Sequence, residues 1–145
     1  MGQEKEKKEM VGNAENVEDK AVKIDNRKIL IPVIKETENE LPKYQTPQSA
    51  GCDARAELQT INQDFFFDTK INEVKEGKIK SICILPLGRC LIPTGLKMAI
   101  PDGYEIQIRP RSGWALKFGL SLANCVATID ADYRDEVGII LINFG

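Results

Sequence analysis

The chain has 145 residues, enough for one domain with a core of its own and too few to divide comfortably into two. Lys and Arg number 20 against 22 Asp and Glu, and the net charge of -2 supplies no field that would hold DNA or RNA nonspecifically. A nucleotide is a different case, because a few backbone amides and one or two Arg bind a small anion without any overall positive excess.

In chain order, the opening MGQEKEKKEM lacks the apolar centre of a signal peptide. No later stretch approaches the roughly 18 apolar residues of a membrane span, so a soluble protein without a membrane partner is expected. Gly2 fails as a myristoylation site, because Glu6 stands where that motif takes Ser or Thr. Residues 1–28 are dense in charge and poor in large apolar side chains, which predicts a disordered tail, with a docking or targeting arm as the alternative reading. Residues 29–145 form the expected domain.

That domain begins at Ile29-Leu30-Ile31-Pro32-Val33-Ile34, a β-branched run whose proline suits an edge strand. A polar loop follows over 36–48. Phe65, Phe66 and Phe67 sit within a second polar stretch, where they read as packing by an inserted hairpin or loop; no basic residues interleave with them as in a base-stacking platform. From Ile79 onward short β-type runs alternate with turn punctuation such as PTG and PDG. Residues 104–109 alternate apolar and polar, the period of a strand with one buried face, and the apolar run 137–144 suits a strand covered on both sides. The best helix candidate is one or two turns over 114–118. Many short strands with regular turns predict an all-β sandwich, barrel or jelly roll.

Cys52, Cys83, Cys90 and Cys125 form no CxxC pair and the chain has no histidine, which speaks against a zinc site. The cysteines read as reduced thiols of an intracellular protein. Without histidine, base catalysis falls to a carboxylate or something rarer.

Three segments carry more glycine and polar side chains than core building needs: SAGCDARA at 49–56, RPRSGWALKFGL at 109–120 and NCVATIDADYRDEV at 124–137. Pro-Arg-Ser-Gly after a strand offers an Arg for a phosphate, a hydroxyl, and a glycine that lets an anion approach backbone N–H groups. In the third segment, Thr128-Ile129 and Val137 suggest the flanks of a β-hairpin carrying Asp130 and Tyr133 near its turn. A plain surface hairpin with Asp130 and Asp132 as turn residues is the other reading of that segment.

Taken together and in this order, the three segments resemble successive motifs of the trimeric dUTPase family: AGxDxxA, PRSGxAxKxGL and GxIDxDYRGE. The stretch IPTGLKMAIPDGYEIQIRPRSG also follows that family, so the resemblance runs over residues 41–145 with an insertion near 59–80. It implies a dUTPase-like jelly roll or distorted β-barrel, a homotrimer with active sites at subunit interfaces, and hydrolysis of dUTP to dUMP and pyrophosphate. Asp130 would be the general base that activates water for attack on the α-phosphorus. Tyr133 would stack beneath the deoxyribose and exclude a 2′-OH. Asn124 and the backbone of Thr128, Ile129 and Asp130 would read uracil, and Gly138 would add a backbone contact in the same hairpin. Arg111, Ser112 and Gly113 would hold the phosphates from a neighbouring subunit, and Asp53 would help place Mg2+ through water.

The chain departs from the family at three points. It stops at Gly145, where the family continues with a GDRIAQL-like strand and a glycine-rich arm, and so reads as C-terminally truncated. Ala127 replaces a usual glycine, where a Cβ would crowd the hairpin if that position needs positive φ. Asp135 replaces the glycine of YRGE and adds a negative charge near the triphosphate site. The alternatives are a non-catalytic nucleotide-binding remnant or fragment of such an enzyme and, further off, a dCTP deaminase of shared fold.

Overall fold

The computed structural model describes residues 29–145, so the tail expected over 1–28 lies outside the described residues. Within Ile31–Gly145 the chain is built almost wholly of antiparallel strands. The first, β1 (Val33–Lys35), follows Pro32 and pairs on one side only, with β4 (Leu96–Met98), in the edge role the proline predicts. Pro32 lacks an N–H, but its carbonyl accepts from Ala99 N at 3.0 Å, which prolongs the pairing.

The insertion near 59–80 is a long ribbon rather than a loose loop. Its strands, β2 (Phe66–Lys75) and β3 (Lys78–Pro93), are joined through Glu76 and Gly77, both at positive φ (52° and 72°). Two such residues match the twist of a tight hairpin. β2 is the outer strand of its sheet, and register shifts at three places interrupt its ladder with β3. Such irregularities blunt an exposed strand edge against pairing with other chains.

β8 (Gly138–Asn143) lies between β3 and β6 (Leu120–Leu122), completing a sheet of order β2-β3-β8-β6. The apolar run over 137–144 thus finds a central position, although its side chains are half-buried rather than covered on both sides. The remaining pair, β5 (Ile106–Ile108) and β7 (Ala127–Ile129), forms a small sheet of its own. One helix, α1 (Ser112–Phe118), stands where residues 114–118 were read as helical and starts two residues earlier. Gly119 ends it at φ 64°, a conformation natural to glycine, with its N–H donating to the carbonyls of Trp114 and Ala115.

The hairpin expected across the third segment does not form. β7 pairs with β5, whereas β8 pairs with β3 and β6, so residues 130–137 are a crossover between two sheets. The cause is competition for partners: an apolar six-residue strand buries more between two neighbours than beside the three-residue β7.

The core gathers Cys90, Ile92, Leu96, Ile100, Leu122, Ala127 and Val137, drawn from both large and small sheets. Its polar member is Thr94, 1% exposed, in the PTG turn between β3 and β4. The Thr94 hydroxyl donates to Val137 O at 2.7 Å and accepts from Leu96 N at 3.3 Å, while Val137 N donates to Leu96 O at 2.8 Å. Gly95 N completes the strap by donating to Glu136 Oε1 at 2.6 Å. These bonds fix the end of the 130–137 crossover against the core.

Thr94→Val keeps the shape but leaves the Val137 carbonyl buried without its donor, and a loss of about 1–3 kcal/mol in urea unfolding is expected. Burial pushes the Cys90 thiol up to about 11, so at pH 8 it stays a neutral thiol in the folded protein. Timed alkylation at that pH should label exposed Cys52 and Cys125 first, with Cys90 reacting only on unfolding.

Candidate functional site

The first two segments meet in space. Residues 49–56 run without regular structure but are anchored beyond their end, where Asn39 Nδ2 donates to Ala56 O at 3.0 Å and Glu57 N to Pro93 O at 2.8 Å. The Thr37 hydroxyl also donates to the Glu57 carboxylate. This anchoring brings the Asp53 carboxylate to 3.4 Å from Arg111 Nη1, with both side chains more than half exposed. The pair lines a cavity of about 390 Å³ together with Glu40, Lys43, Arg55 and Trp114.

Arg111 is extended, at φ -72° and ψ 126°, and immediately precedes α1 with no side chain capping the helix. Its carbonyl accepts from Trp114 N and Ala115 N, both at 3.0 Å. The amides of Ser112 and Gly113 stand ahead of the helical ladder and have no acceptor within it. Space beside Gly113 is open: a Cβ built there meets nothing within 4 Å. Arg111, Ser112 and Gly113 thus offer a guanidinium, a hydroxyl and free backbone donors on one exposed corner.

The third segment lies elsewhere. Asn124 is exposed in the turn before β7, Thr128 is exposed on the strand opposite Gln107, and Ile129 pairs with Ile106. Asp130 follows immediately and is exposed. Tyr133 N donates to Asp130 O at 3.2 Å, closing the backbone turn after Asp130, and the Tyr133 hydroxyl donates to Glu136 O at 2.8 Å, which fastens the phenol ring to the far end of that loop. The Arg134 guanidinium donates to the carbonyls of Ala131 and Tyr133. Ala127 is a regular, buried strand residue outside the positive-φ region, which removes the conformational objection to its Cβ. Gly138 does not face Asp130 across a hairpin; it opens β8 opposite Pro93, where a Cβ would come 2.8 Å from Leu91 Cδ1.

The register of the small sheet sets the distance between these groups. Because β5 and β7 are antiparallel with Ile106 opposite Ile129, Asp130 projects beyond the Glu105 end of the pair. Arg111 leaves from the other end, six residues along from Glu105. At roughly 3.3 Å per residue when fully extended, the backbone from Glu105 to Arg111 spans at most about 20 Å, and Asp130 and Arg111 lie toward opposite ends of the β5–β7 pair. Asp53 and Arg111 come together; Asp130 and Arg111 do not.

Among the described residues, no cluster of three or more carboxylate or thiol side chains forms a ready-made metal cage. Asp53, a single exposed carboxylate, fits a cation that keeps most of its waters and takes further ligands from phosphate oxygens. Two residues with roles at the site escaped the sequence reading. Glu136 holds the Gly95 amide and presents its carbonyl to Tyr133, and Trp114 lies against Arg111 with 5.8 Å between its ring centre and the guanidinium carbon. The glutamate of the YRxE pattern was a signal for the first; only spacing of three from Arg111 hinted at the second.

An all-β jelly-roll domain carrying three polar segments outside its strands' core defines the class of fold. The dUTPase family's sequence profile matches residues 79–145. The deoxyuridine 5′-triphosphate nucleotidohydrolase of Fusobacterium nucleatum is 44% identical over 117 residues, a match covering 81% of this chain and 66% of that protein. Its counterpart in Chlamydia pneumoniae is 47% identical over 106 residues, covering 73% of this chain and 59% of that protein. Among solved structures, the dUTPase of Staphylococcus aureus phage phi11, described with a structural Mg(II) ion, superposes with a TM-score of 0.55 at 23% identity, covering 80% of this chain and 61% of that one. The dUTPase of staphylococcal phage 80alpha, also solved with dUpNHpp, gives 0.56 at 22% identity, covering 80% of this chain and 60% of that one. These structures bear out the fold. The chain belongs to the dUTPase family, and its matched stretch spans somewhat less than two thirds of the relatives' length.

Proposed function

We propose that the protein hydrolyses dUTP to dUMP and pyrophosphate, the reaction that keeps uracil out of DNA and supplies dUMP for thymidylate synthesis. The observation that carries this reading is the Asp130–Tyr133 loop. Its carboxylate is exposed to solvent, the Tyr133 backbone N–H closes a turn on Asp130 O at 3.2 Å, and the Tyr133 hydroxyl is held by Glu136 O at 2.8 Å, an arrangement suited to a water-activating base next to a sugar platform.

In this account Asp130 takes a proton from water as the water oxygen bonds to the α-phosphorus. The bond from that phosphorus to the bridging oxygen of the pyrophosphate breaks, and the water oxygen stays with dUMP. The Tyr133 ring stacks beneath the deoxyribose and fills the space of a 2′-OH. Asn124 and the backbone of Thr128, Ile129 and Asp130 pair with the uracil edge. Cytosine is rejected because its N4 amino group donates where O4 of uracil accepts, which leaves a buried donor unpaired. Gly138 adds a backbone contact from the start of β8.

The phosphates are held by Arg111, Ser112 and Gly113 of a neighbouring copy, a division favoured by the placement of Asp130 and Arg111 toward opposite ends of the β5–β7 pair. A homotrimer with a site at each interface is the assembly that follows. Asp53 stands beside Arg111 and would hold Mg2+ through water; the ion, when bound, neutralises the triphosphate and orients the leaving pyrophosphate.

Pyrophosphate release measured on dUTP, UTP, dCTP and TTP tests the assignment. Strong preference for dUTP is expected, Asp130→Asn should lower kcat by about 10²–10⁴-fold, and Tyr133→Ala should narrow the margin over UTP. Equal turnover of UTP and dUTP by the unaltered protein would remove the role of Tyr133, and full activity in Asp130→Asn would remove the base.

A further inference from the structure

Trp114 is the sole tryptophan of the chain, and its side chain stands half-exposed between two cavities. On one side it lines the polar cavity with Asp53, Arg55 and Arg111. On the other it lines an apolar cavity of about 400 Å³ beside Ile84, Ile92, Phe118 and Leu120. It belongs to the first turn of α1, and its N–H donates to Arg111 O at 3.0 Å, so ring and guanidinium hang from one rigid turn.

Two groups act on the Arg111 guanidinium. The Asp53 carboxylate lies 3.4 Å away, longer than an ordinary charge-assisted hydrogen bond, and both partners are open to screening water. The ion pair supplies attraction without fixing direction. The Trp114 ring lies 5.8 Å from the guanidinium carbon, within reach of the attraction between a cation and the negative face of an indole. Unlike a carboxylate, the ring does not compete for guanidinium N–H groups, which stay free for a planar two-point grip on phosphate.

We propose that Trp114 is a positioning residue for phosphate recognition: its ring holds the Arg111 guanidinium toward the polar cavity. The inference rests on the reading of Arg111 as a phosphate-holding group. When a polyphosphate arrives, the guanidinium turns from Asp53 to the phosphate oxygens and its place over the ring changes. The emission of Trp114 therefore reports the event directly.

The test is titration of the full chain with dUpNHpp, followed by tryptophan emission and, independently, by calorimetry. The unaltered protein should bind with a change in emission, and Arg111→Gln should weaken binding and abolish the change. Trp114→Leu should weaken binding roughly two- to fivefold, the span expected of an exposed cation–ring contact, and Trp114→Phe should recover much of that loss. Circular dichroism and thermal unfolding of each variant separate these effects from misfolding. Undiminished affinity in a folded Trp114→Leu, or an emission change that persists in Arg111→Gln, would overturn the positioning role while leaving the dUTP reading intact. Undiminished affinity in Arg111→Gln, or no binding by the unaltered protein, would overturn the phosphate reading and this inference with it.

Discussion

The antiparallel register of β5 and β7 is the constraint on which the site depends. Ile106 lies opposite Ile129, so the strand that leads to Asp130 and the strand that leads to Arg111 run in opposite directions. Changing the register by one residue would turn the side chains of β7 to the other face and expose Ala127, which is buried. The core therefore locks the register, and the register sends Asp130 and the Arg111 corner toward opposite ends of the strand pair. On the proposed reading, in which neighbouring copies share each site, the division follows from strand geometry rather than from any special feature of the loops.

The two halves are stiffened by different means. The loop after Asp130 is fastened through Glu136 and Val137 to the buried Thr94 turn, where each polar group has a short partner. A bond made to a buried carbonyl is costly to lose, so this half is set by the fold itself. The Arg111 corner relies on an exposed ion pair and a ring contact, both weak. On the proposed reading, weak restraint suits a group that exchanges a carboxylate for a phosphate during binding.

Much of this was readable in residue order. Alternation in residues 104–109, the PTG turn and Pro32 each describe local preferences that the structure keeps in β5, the Thr94 turn and β1. The short helix ending at Gly119 belongs with them, since a left-handed terminus is a local property. The expected hairpin across 124–137 failed for a reason local pattern cannot reach: period and turn residues identify strands, but partners are chosen by burial across the whole domain. The φ value at Ala127 and the packing of Gly138 against Leu91 were beyond sequence for the same reason. Asp53 and Arg111 lie 58 positions apart in the sequence, and only the family resemblance gave cause to place them in one site. The insertion at 59–80 was recognised as foreign to the family pattern, and its three bulges and tight Glu76–Gly77 turn emerged with the fold.

In the proposed reading two copies complete each site, and mixing two disabled variants tests this most directly. Asp130→Asn keeps an intact Arg111 corner and Arg111→Gln keeps an intact base, so each should be nearly inactive alone. Unfolded together and refolded as mixed oligomers, they should recover a substantial fraction of dUTP hydrolysis, because some interfaces then pair one intact half with the other. A mixture no more active than its separate components, with mixed oligomers shown to have formed, would contradict the shared site.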